Sequence, residues 1–185
     1  MGTGFKLTFH AYLYNMDLNF QKLLPADFHN DSRVWIYQSS RKFLISEALE
    51  IEELLQEFVQ NWNSHGDPVK GYANLFFGQF LIFMADETAT GLSGCSTDSS
   101  VRLVKAIETN YNVDLFNRQS LAFIIKEKIE LLPLSQLSYA FENTFINEDS
   151  LYFNNTVLAK KQLIENWIIP LKESWLMKQL AKPIE

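Results

Sequence analysis

The chain has 185 residues, of which 47% are hydrophobic and 21% charged, a composition typical of a globular protein with a substantial core. Its formal net charge of −6 argues against a general nucleic-acid binder, because such proteins present a basic face. A single cysteine excludes an intrachain disulfide, and no apolar run is long enough for a membrane span, so we expect a cytoplasmic protein without membrane insertion.

An N-terminal extension is expected over residues 1–24, partly disordered or forming an edge strand, ahead of a single α+β domain over residues 25–185. The aromatic residues of 1–15 alternate only weakly with polar ones, which is untypical of a core strand. A short helical turn is predicted at 17–24, where Pro25 ends it.

The first strand is predicted at 33–38, where β-branched and aromatic residues lie between turn formers. Its apolar run hardly alternates, which favours a central strand. A helix follows, with Ser46 as the predicted N-cap and glutamates near its positive end. Its apolar face repeats at helical spacing through Ile51, Leu54, Leu55, Phe58, Val59 and Trp62.

A hairpin is predicted next, with strands at 71–77 and 79–85 joined at Gly78. The second helix is expected to begin at about Asp98 or Ser99 and to end at Tyr111. The rest of the chain is predicted to contain strands at 121–125, 128–132 and 151–153 and helices at 135–145, 158–169 and 171–180. This order predicts an α+β fold: a split β-α-β (ferredoxin-like) antiparallel sheet with helices on one face, plus a C-terminal β-α-β-α extension.

The polar turn Ser93–Ser100, predicted to open the second helix, is the candidate binding site. Unpaired N–H groups at a helix start favour an anion and a cysteine thiolate, so we expect a small anionic ligand or an acidic partner group here. The candidate ligand-binding residues come from the turn and from both flanks of the first strand: Gly94, Ser96, Thr97, Ser99, Ser100, Arg33 and Arg41. In the alternative, the turn only caps the helix and Cys95 is a buried filler, the usual situation of a lone cysteine.

A second hypothesis is a thiol enzyme for acyl transfer or hydrolysis, with Cys95 as the nucleophile and His65 as the base. Asp86 or Asp98 would orient the imidazole. Nothing in the spacing requires these residues to meet, and a loop histidine beside a glycine is usually an exposed polar residue. Whether the protein is an enzyme is therefore left open by the sequence.

Aromatic residues of the C-terminal helices suggest a third hypothesis, a protein-interaction module. Trp167 and Trp175 lie near helical apolar faces, so a packing role is the alternative. The stretch 153–156 could place amides near a ligand, although two asparagines after a short strand are first of all a turn signal.

Nucleotide and metal motifs are not found in the sequence. Gly66 and Gly71 have the separation of a phosphate-binding loop, but the lysine and hydroxyl residue that must follow are missing. Three scattered histidines and one cysteine show no metal-ligand spacing. We therefore expect neither a metal nor a cofactor.

Several stretches between about residues 25 and 175 resemble a small bacterial family whose members often carry the label "ABC transporter ATPase" and whose function is unknown. The similar stretches are Arg33–Ser39, Trp62 with His65-Gly66, Ser93–Val101, Phe153–Asn155 and Trp167–Trp175. Thr97 stands where that family more typically has isoleucine. The resemblance implies no activity, and the ATPase label conflicts with the missing nucleotide motifs.

Overall fold

Two antiparallel sheets and the helices packed on them make up most of the protein. The computed structural model describes residues 17–64, 66–88 and 94–181, with only the backbone at 94–96. The mixture of helices and antiparallel sheets confirms the predicted α+β class.

The first sheet contains three strands in the order β1-β5-β4. These strands are β1 (Arg33–Gln38), β4 (Gly71–Phe76) and β5 (Phe80–Ala85), separated in sequence by a two-stranded ladder, β2 (Asn63–Ser64) with β3 (Asp67–Pro68). All six residues of β5 are buried, because both its edges are paired and both its faces are covered. The predicted central position of β1 is wrong: β5 is central, and the outer edge of β1 is met by Leu158 and Ala159.

The hairpin between β4 and β5 is confirmed, with a tight turn at its tip. Phe77 has a φ of 54° and Gly78 a φ of 64°. Positive φ at two successive residues matches the right-handed twist of the strands, which explains why glycine stands at this position.

Two long helices cover one face of this sheet: α1 (Ile45–Gln60) and α2 (Gly94–Tyr111). Ser46 is not the N-cap of α1; the N-cap is Leu44, whose backbone N–H donates to the Glu47 carboxylate at 2.8 Å. Helix α2 begins at Gly94, earlier than predicted, so most of the expected Ser93–Ser100 turn is helical. The short polar residues of the sequence did not locate the starts of α1 and α2 correctly, because such side chains suit the whole first turn of a helix and not only its cap.

The second sheet has the strand order β7-β6-β8-β9. Its strands are β6 (Ser120–Ile125), β7 (Lys128–Pro133), β8 (Leu151–Phe153) and β9 (Ile168–Pro170), and the helices between and after them are α3 (Leu137–Glu142), α4 (Lys160–Asn166) and α5 (Leu176–Leu180). The predicted helix 158–169 was too long at both ends. Its C-terminal end is strand β9, whose β-branched residues pair with β8.

The ferredoxin-like arrangement is not confirmed. In the first sheet β1 and β4 flank β5, with α1 connecting β1 to the hairpin. The next strand, β6, pairs with β7 and β8 in the second sheet and not with β1. Long-range strand pairing is decided by tertiary contacts and leaves no local signal in the sequence.

Both faces of the first sheet are covered, and not only the face expected to carry helices. On the helix side the core includes Ile51 and Leu55 of α1 with Val104 of α2. On the other side Phe153 and Trp167 of the C-terminal part join the core. This second layer places the ends of β1, β6 and β8 next to one another.

The C-terminal end of the predicted extension packs into the core. Residues Phe20–Leu23 form a 3-10 turn, as expected for 17–24. Phe20 is buried, and its ring centroid lies 4.8 Å from that of Trp167. Residues 1–16 lie outside the described residues, so the boundary at residue 24 stays a prediction. Across the described ranges, no helix combines the length and apolar character needed to cross a bilayer.

Candidate functional site

A pocket of about 230 Å³ opens where β1 and β8 end and β6 begins. We call it the Gln38 pocket. Its wall consists of residues from β1, the loop before β6 and the start of β6, β8 and the turn after it, and the start of α5: Ile36, Tyr37, Gln38, Leu115, Phe116, Asn117, Arg118, Ser120, Leu121, Tyr152, Phe153, Asn155, Thr156 and Trp175. None of these side chains is acidic.

A chain of side-chain hydrogen bonds holds the amide groups of the pocket. The indole N–H of Trp167 donates to Asn155 Oδ1 at 3.0 Å, and Asn155 Nδ2 donates to Gln38 Oε1 at 2.8 Å. Gln38 Nε2 then donates to the Ser120 carbonyl oxygen at 3.1 Å. Because an indole only donates and a carbonyl only accepts, the two ends fix the orientation of both amides.

The turn after β8 presents Asn155 to this chain. The backbone N–H of Asn154 donates to the Trp167 carbonyl oxygen, and the Thr156 hydroxyl donates to Asn154 Oδ1, both at 2.6 Å. Asparagine and threonine side chains stabilise turns by such local bonds, so one asparagine shapes the turn and the next faces the pocket.

Aromatic side chains form much of the rest of the wall. The rings of Tyr37 and Phe116 meet edge to face, with 5.4 Å between their centroids. Tyr152 is buried, whereas Phe116 and Trp175 at the rim are 38% and 37% exposed. The pocket therefore has buried polar rings inside and apolar ring surface at its mouth.

The electrostatics of the pocket come from one guanidinium and two neutral phenols. Burial raises the pKa of Tyr37, and the positive charge of Arg118 opposes this rise. Burial also raises the pKa of Tyr152 to about 12, against a smaller opposing effect of the Trp175 side chain. Both tyrosines therefore stay protonated near neutral pH and can donate hydrogen bonds.

The candidates predicted at the helix start lie in the first two turns of α2. Gly94, Cys95 and Ser96 are helical there, and their side chains lie outside the described part of the chain. Ser100 is buried, and its hydroxyl donates to the Thr97 carbonyl oxygen at 2.8 Å, so this bond stays within the helix.

The remaining helix-start residues are more open. Asp98 is exposed, whereas Thr97 and Ser99 are half-buried. The binding and catalytic roles predicted for this turn stay predictions.

Asp86, predicted to orient His65, is buried and bonded to other groups. Its two oxygens accept from the Thr88 hydroxyl at 2.7 Å, the Thr88 N–H, Lys70 Nζ at 3.1 Å and the His29 N–H. The Thr88 hydroxyl, followed by Lys70 and the two backbone N–H groups, holds the pKa of Asp86 well below its usual range despite the opposing effect of burial. His65 lies outside the described residues, so a link between the two stays a prediction.

The two predicted arginines lie at opposite ends of β1. Arg41 forms a two-pronged ion pair with Glu47, at 2.7 and 2.9 Å, and also donates to the Tyr111 carbonyl oxygen. Arg33 begins the strand, which is about 16 Å long by its rise per residue, and it approaches Glu87 at 3.5 Å. These positions do not bring the two arginines together in one small pocket.

The sequence pattern did not predict Gln38 and Arg118 as site residues, and it predicted the amides of 153–156 chiefly as a turn. A signal was present: Gln38 is a polar residue that ends an apolar strand, and such ends often border pockets.

Among residues 17–64, 66–88 and 97–181, no group of three or more histidine, cysteine, aspartate or glutamate residues could hold a metal ion. A scan against protein-family models, a search of curated proteins and a search of solved structures each give no match to this chain.

Proposed function

We propose that this protein is a small-molecule-binding domain that holds a small organic anion in the Gln38 pocket. The observation that carries this proposal is the wall of the pocket, which combines Arg118 with phenol and amide donors and contains no acidic side chain. In a chain of formal net charge −6, such a wall is the reverse of the average surface. Its local field favours negative charge.

Arg118 supplies the charge that an anion needs. A guanidinium can donate two parallel hydrogen bonds to a carboxylate or a phosphate, and such bonds are stronger than those between neutral groups. The phenols of Tyr37 and Tyr152 add neutral donors, because their pKa values are raised. Together these groups can bind acceptor oxygens, and no carboxylate among the described residues that line the pocket competes for the guanidinium.

The size of the pocket limits the ligand. Its volume of about 230 Å³ lies below the ~300–1,000 Å³ that is usual for drug-sized ligands. A single ring or a short chain with one acidic group fits this volume. Nucleotides and peptides of several residues would extend beyond it.

Titration with small anions tests the proposal. Benzoate binding is measured by isothermal calorimetry on the wild type, on Arg118→Ala and on Arg102→Ala, which removes an exposed arginine from α2. We expect Arg118→Ala to weaken binding at least ~10-fold, because a hydrogen bond to a charged group is lost, and Arg102→Ala to leave binding unchanged. Equal losses in both variants would indicate a non-specific charge effect and would count against the pocket.

Anion binding at the start of α2 is the second candidate. Helix α2 starts at Gly94 and has 18 residues, so the positive end of its dipole lies at this start and can favour an anion. A thiol enzyme with Cys95 as nucleophile and His65 as base uses the same helix start. The pH dependence of Cys95 alkylation tests the thiol enzyme, since a thiol that reacts only after denaturation would exclude Cys95 as the nucleophile.

Protein interaction through the C-terminal aromatic residues is the third candidate. Tyr139 and Phe145 are each 63% exposed, and their rings stack with 6.3 Å between the centroids. An exposed aromatic pair can anchor a protein partner. Size-exclusion chromatography with light scattering, run on the wild type and on Phe145→Ser, would detect self-association through this pair.

The resemblance to the family labelled "ABC transporter ATPase" supports the choice of pocket. Tyr37, Gln38, Phe153, Asn155 and Trp175 all lie in the stretches that carry the resemblance, and all five line the pocket. A cytoplasmic location is part of the proposal, resting on the single cysteine and the absence of a long apolar run. Recovery of the protein in a membrane or secreted fraction of its cells would contradict that location.

A further inference from the structure

We infer that the ligand of the Gln38 pocket is a planar heteroaromatic acid, whose acidic group binds Arg118 and whose ring carries a hydrogen-bond acceptor that faces Gln38. This inference rests on the proposed function, because it names the class of anion that the same pocket takes. Three features of the pocket support the inference. They are a hydrogen-bond donor of Gln38, the exposed aromatic surface at the mouth, and the different depths of the Arg118 guanidinium and the Gln38 amide.

The hydrogen-bond donor is the second N–H of Gln38 Nε2. One N–H of this amide donates to the Ser120 carbonyl oxygen, and Gln38 Oε1 already accepts from Asn155. No other partner of this side chain is found among the residues that the structure describes. The side chain is buried, with Gln38 only 7% exposed. Because Gln38 lines the pocket, this N–H is available to an acceptor on a bound ligand. A ligand that covered it without an acceptor would leave the N–H unpaired, at a cost in free energy.

The orientation of that N–H group cannot reverse at low cost. A flip of the Gln38 amide would direct its oxygen at the Ser120 carbonyl oxygen and its N–H groups at Asn155 Nδ2. Asn155 cannot flip in compensation, because its Oδ1 accepts from the donor-only indole of Trp167. The bonds that begin at Trp167 therefore hold Gln38 as a donor, and the pocket selects a hydrogen-bond acceptor at this point over a group that can only donate, such as an ammonium.

Ring surface at the mouth favours a flat ligand. Phe116 and Trp175 keep more than a third of their surface exposed, at 38% and 37%, although the rest of the apolar wall is largely buried. A planar ring can cover such surface and can meet aromatic neighbours in an offset or edge-to-face arrangement. A branched aliphatic acid of the same size makes poorer contact with flat walls.

Charge and acceptor lie at different depths. Arg118 is exposed, whereas Gln38 is buried, so a ligand that reaches both has its acidic group at the mouth and its acceptor at the far side of the ring. A ring nitrogen opposite the acid meets this requirement. A ring nitrogen beside the acid does not, because it would stay near the guanidinium.

Three isomers of one compound test the inference. Pyridine-2-, pyridine-3- and pyridine-4-carboxylate share charge, size and outline and differ only in the place of the nitrogen; benzoate lacks the nitrogen. Calorimetry on the wild type in metal-free buffer is expected to show pyridine-4-carboxylate binding about fivefold more tightly than benzoate, the gain of one neutral hydrogen bond. Pyridine-2-carboxylate is expected to bind no better than benzoate.

Gln38→Met is the matched variant, since it removes the amide without changing charge. We expect it to abolish the preference for pyridine-4-carboxylate over benzoate, whereas Gln136→Met, at an exposed glutamine, preserves the preference. The isomer series on the wild type decides the question even where Gln38→Met does not fold. Arg118-dependent binding of all four acids with equal affinity would overturn this inference alone; no Arg118-dependent binding of any acid would overturn the proposed function as well.

Discussion

The polar side chains near the two ends of strand β1 differ in what they bind. At the amino end, the buried side chains of Asp86 and Lys160 are bonded to other parts of the protein. At the carboxyl end, Gln38 and Arg118 border a pocket and keep hydrogen-bonding capacity that the described residues do not use. Ser32 Oγ, a buried atom at the amino end, also lacks a hydrogen-bond partner among the described residues, but it does not line this pocket. The grouping of donors around a pocket is therefore a better guide to function than any single unpaired atom.

Hydrogen bonds near the amino end of β1 hold the loop 25–29 against the rest of the domain. Lys160 Nζ donates to the carbonyl oxygens of Pro25 at 2.8 Å and Phe28 at 2.7 Å. Lys70 donates to the Asp27 carbonyl oxygen at 2.6 Å and pairs with Asp86 at 3.1 Å. These bonds stabilise the fold, so changes here should affect stability and leave ligand binding nearly unchanged.

Lys160→Met is expected to have the largest effect on stability. The thioether fills the aliphatic space but leaves two buried carbonyl oxygens without their donor, at a cost of about 3 kcal/mol. Urea denaturation followed by circular dichroism measures the loss. Lys161→Met, at the exposed neighbouring lysine, is the control and should stay within about 0.5 kcal/mol of the wild type. Equal stability of the two variants would show that the Lys160 bonds contribute nothing.

Trp167→Phe tests the link between core and pocket. The change removes the indole N–H that begins the hydrogen bonds to Asn155 and Gln38, and it leaves a small cavity beside Phe20. We expect a loss of about 2 kcal/mol of stability together with weaker selection among the pyridinecarboxylates. Trp175→Phe, at the half-open rim, should cost much less stability. A loss of stability without any change in the selection among the pyridinecarboxylates would show that the Trp167 N–H does not influence ligand binding in the pocket.

Asp86→Asn removes the carboxylate charge near the amino end of β1. Because this charge titrates, the effect of the substitution on stability should depend on pH. The folded-state pKa of Asp86 is depressed, so its ionisation stabilises the fold above the unfolded-state pKa of about 4, and this contribution is lost as pH falls through the lower folded-state value. At pH 7 we expect the variant to be less stable by about 1–2 kcal/mol.

Denaturant midpoints measured between pH 3 and pH 7 check this prediction. The difference between wild type and Asp86→Asn should be constant near neutral pH and should shrink below about pH 4. A difference that stayed the same at pH 3 would mean that the carboxylate charge is not the cause.

Arg33→Ala is expected to have the smallest effect. Its guanidinium and the Glu87 carboxylate are 3.5 Å apart, and both side chains are exposed to solvent. Exposed pairs of this kind contribute at most about 0.5 kcal/mol. Thermal denaturation of the variant should therefore match the wild type within a few degrees, and a larger loss would assign Arg33 a role beyond its ion pair.

Local patterns in the sequence predicted most of the elements but not their partners. The strand at 33–38, the hairpin around Gly78 and the apolar face of α1 were all predicted, because each depends on neighbouring residues. Strand β9 was missed, since Ile168 and Ile169 continue the helical pattern of α4 and become a strand only by pairing with β8. Tertiary context decided that element.

The pocket could not be predicted from spacing. Gln38 and Asn155 are 117 positions apart in the chain, and only the packing of the C-terminal part against the first sheet brings their segments together. The sequence instead drew attention to the Ser93–Ser100 turn, where polar residues are consecutive. Consecutive polar residues are visible in a sequence, whereas donors gathered from distant strands are visible only in a fold.

Chemical-shift mapping with benzoate tests the central claim most directly, because it locates the bound anion on the chain. The account predicts that the backbone amide signals that move belong to 36–38, 115–121, 152–156 and Trp175, and that they move far less in Arg118→Ala than in Arg102→Ala. Shifts confined to residues 94–100 would place the anion at the start of α2. That result, or no shifts at millimolar benzoate, would contradict the assignment of the Gln38 pocket as the binding site.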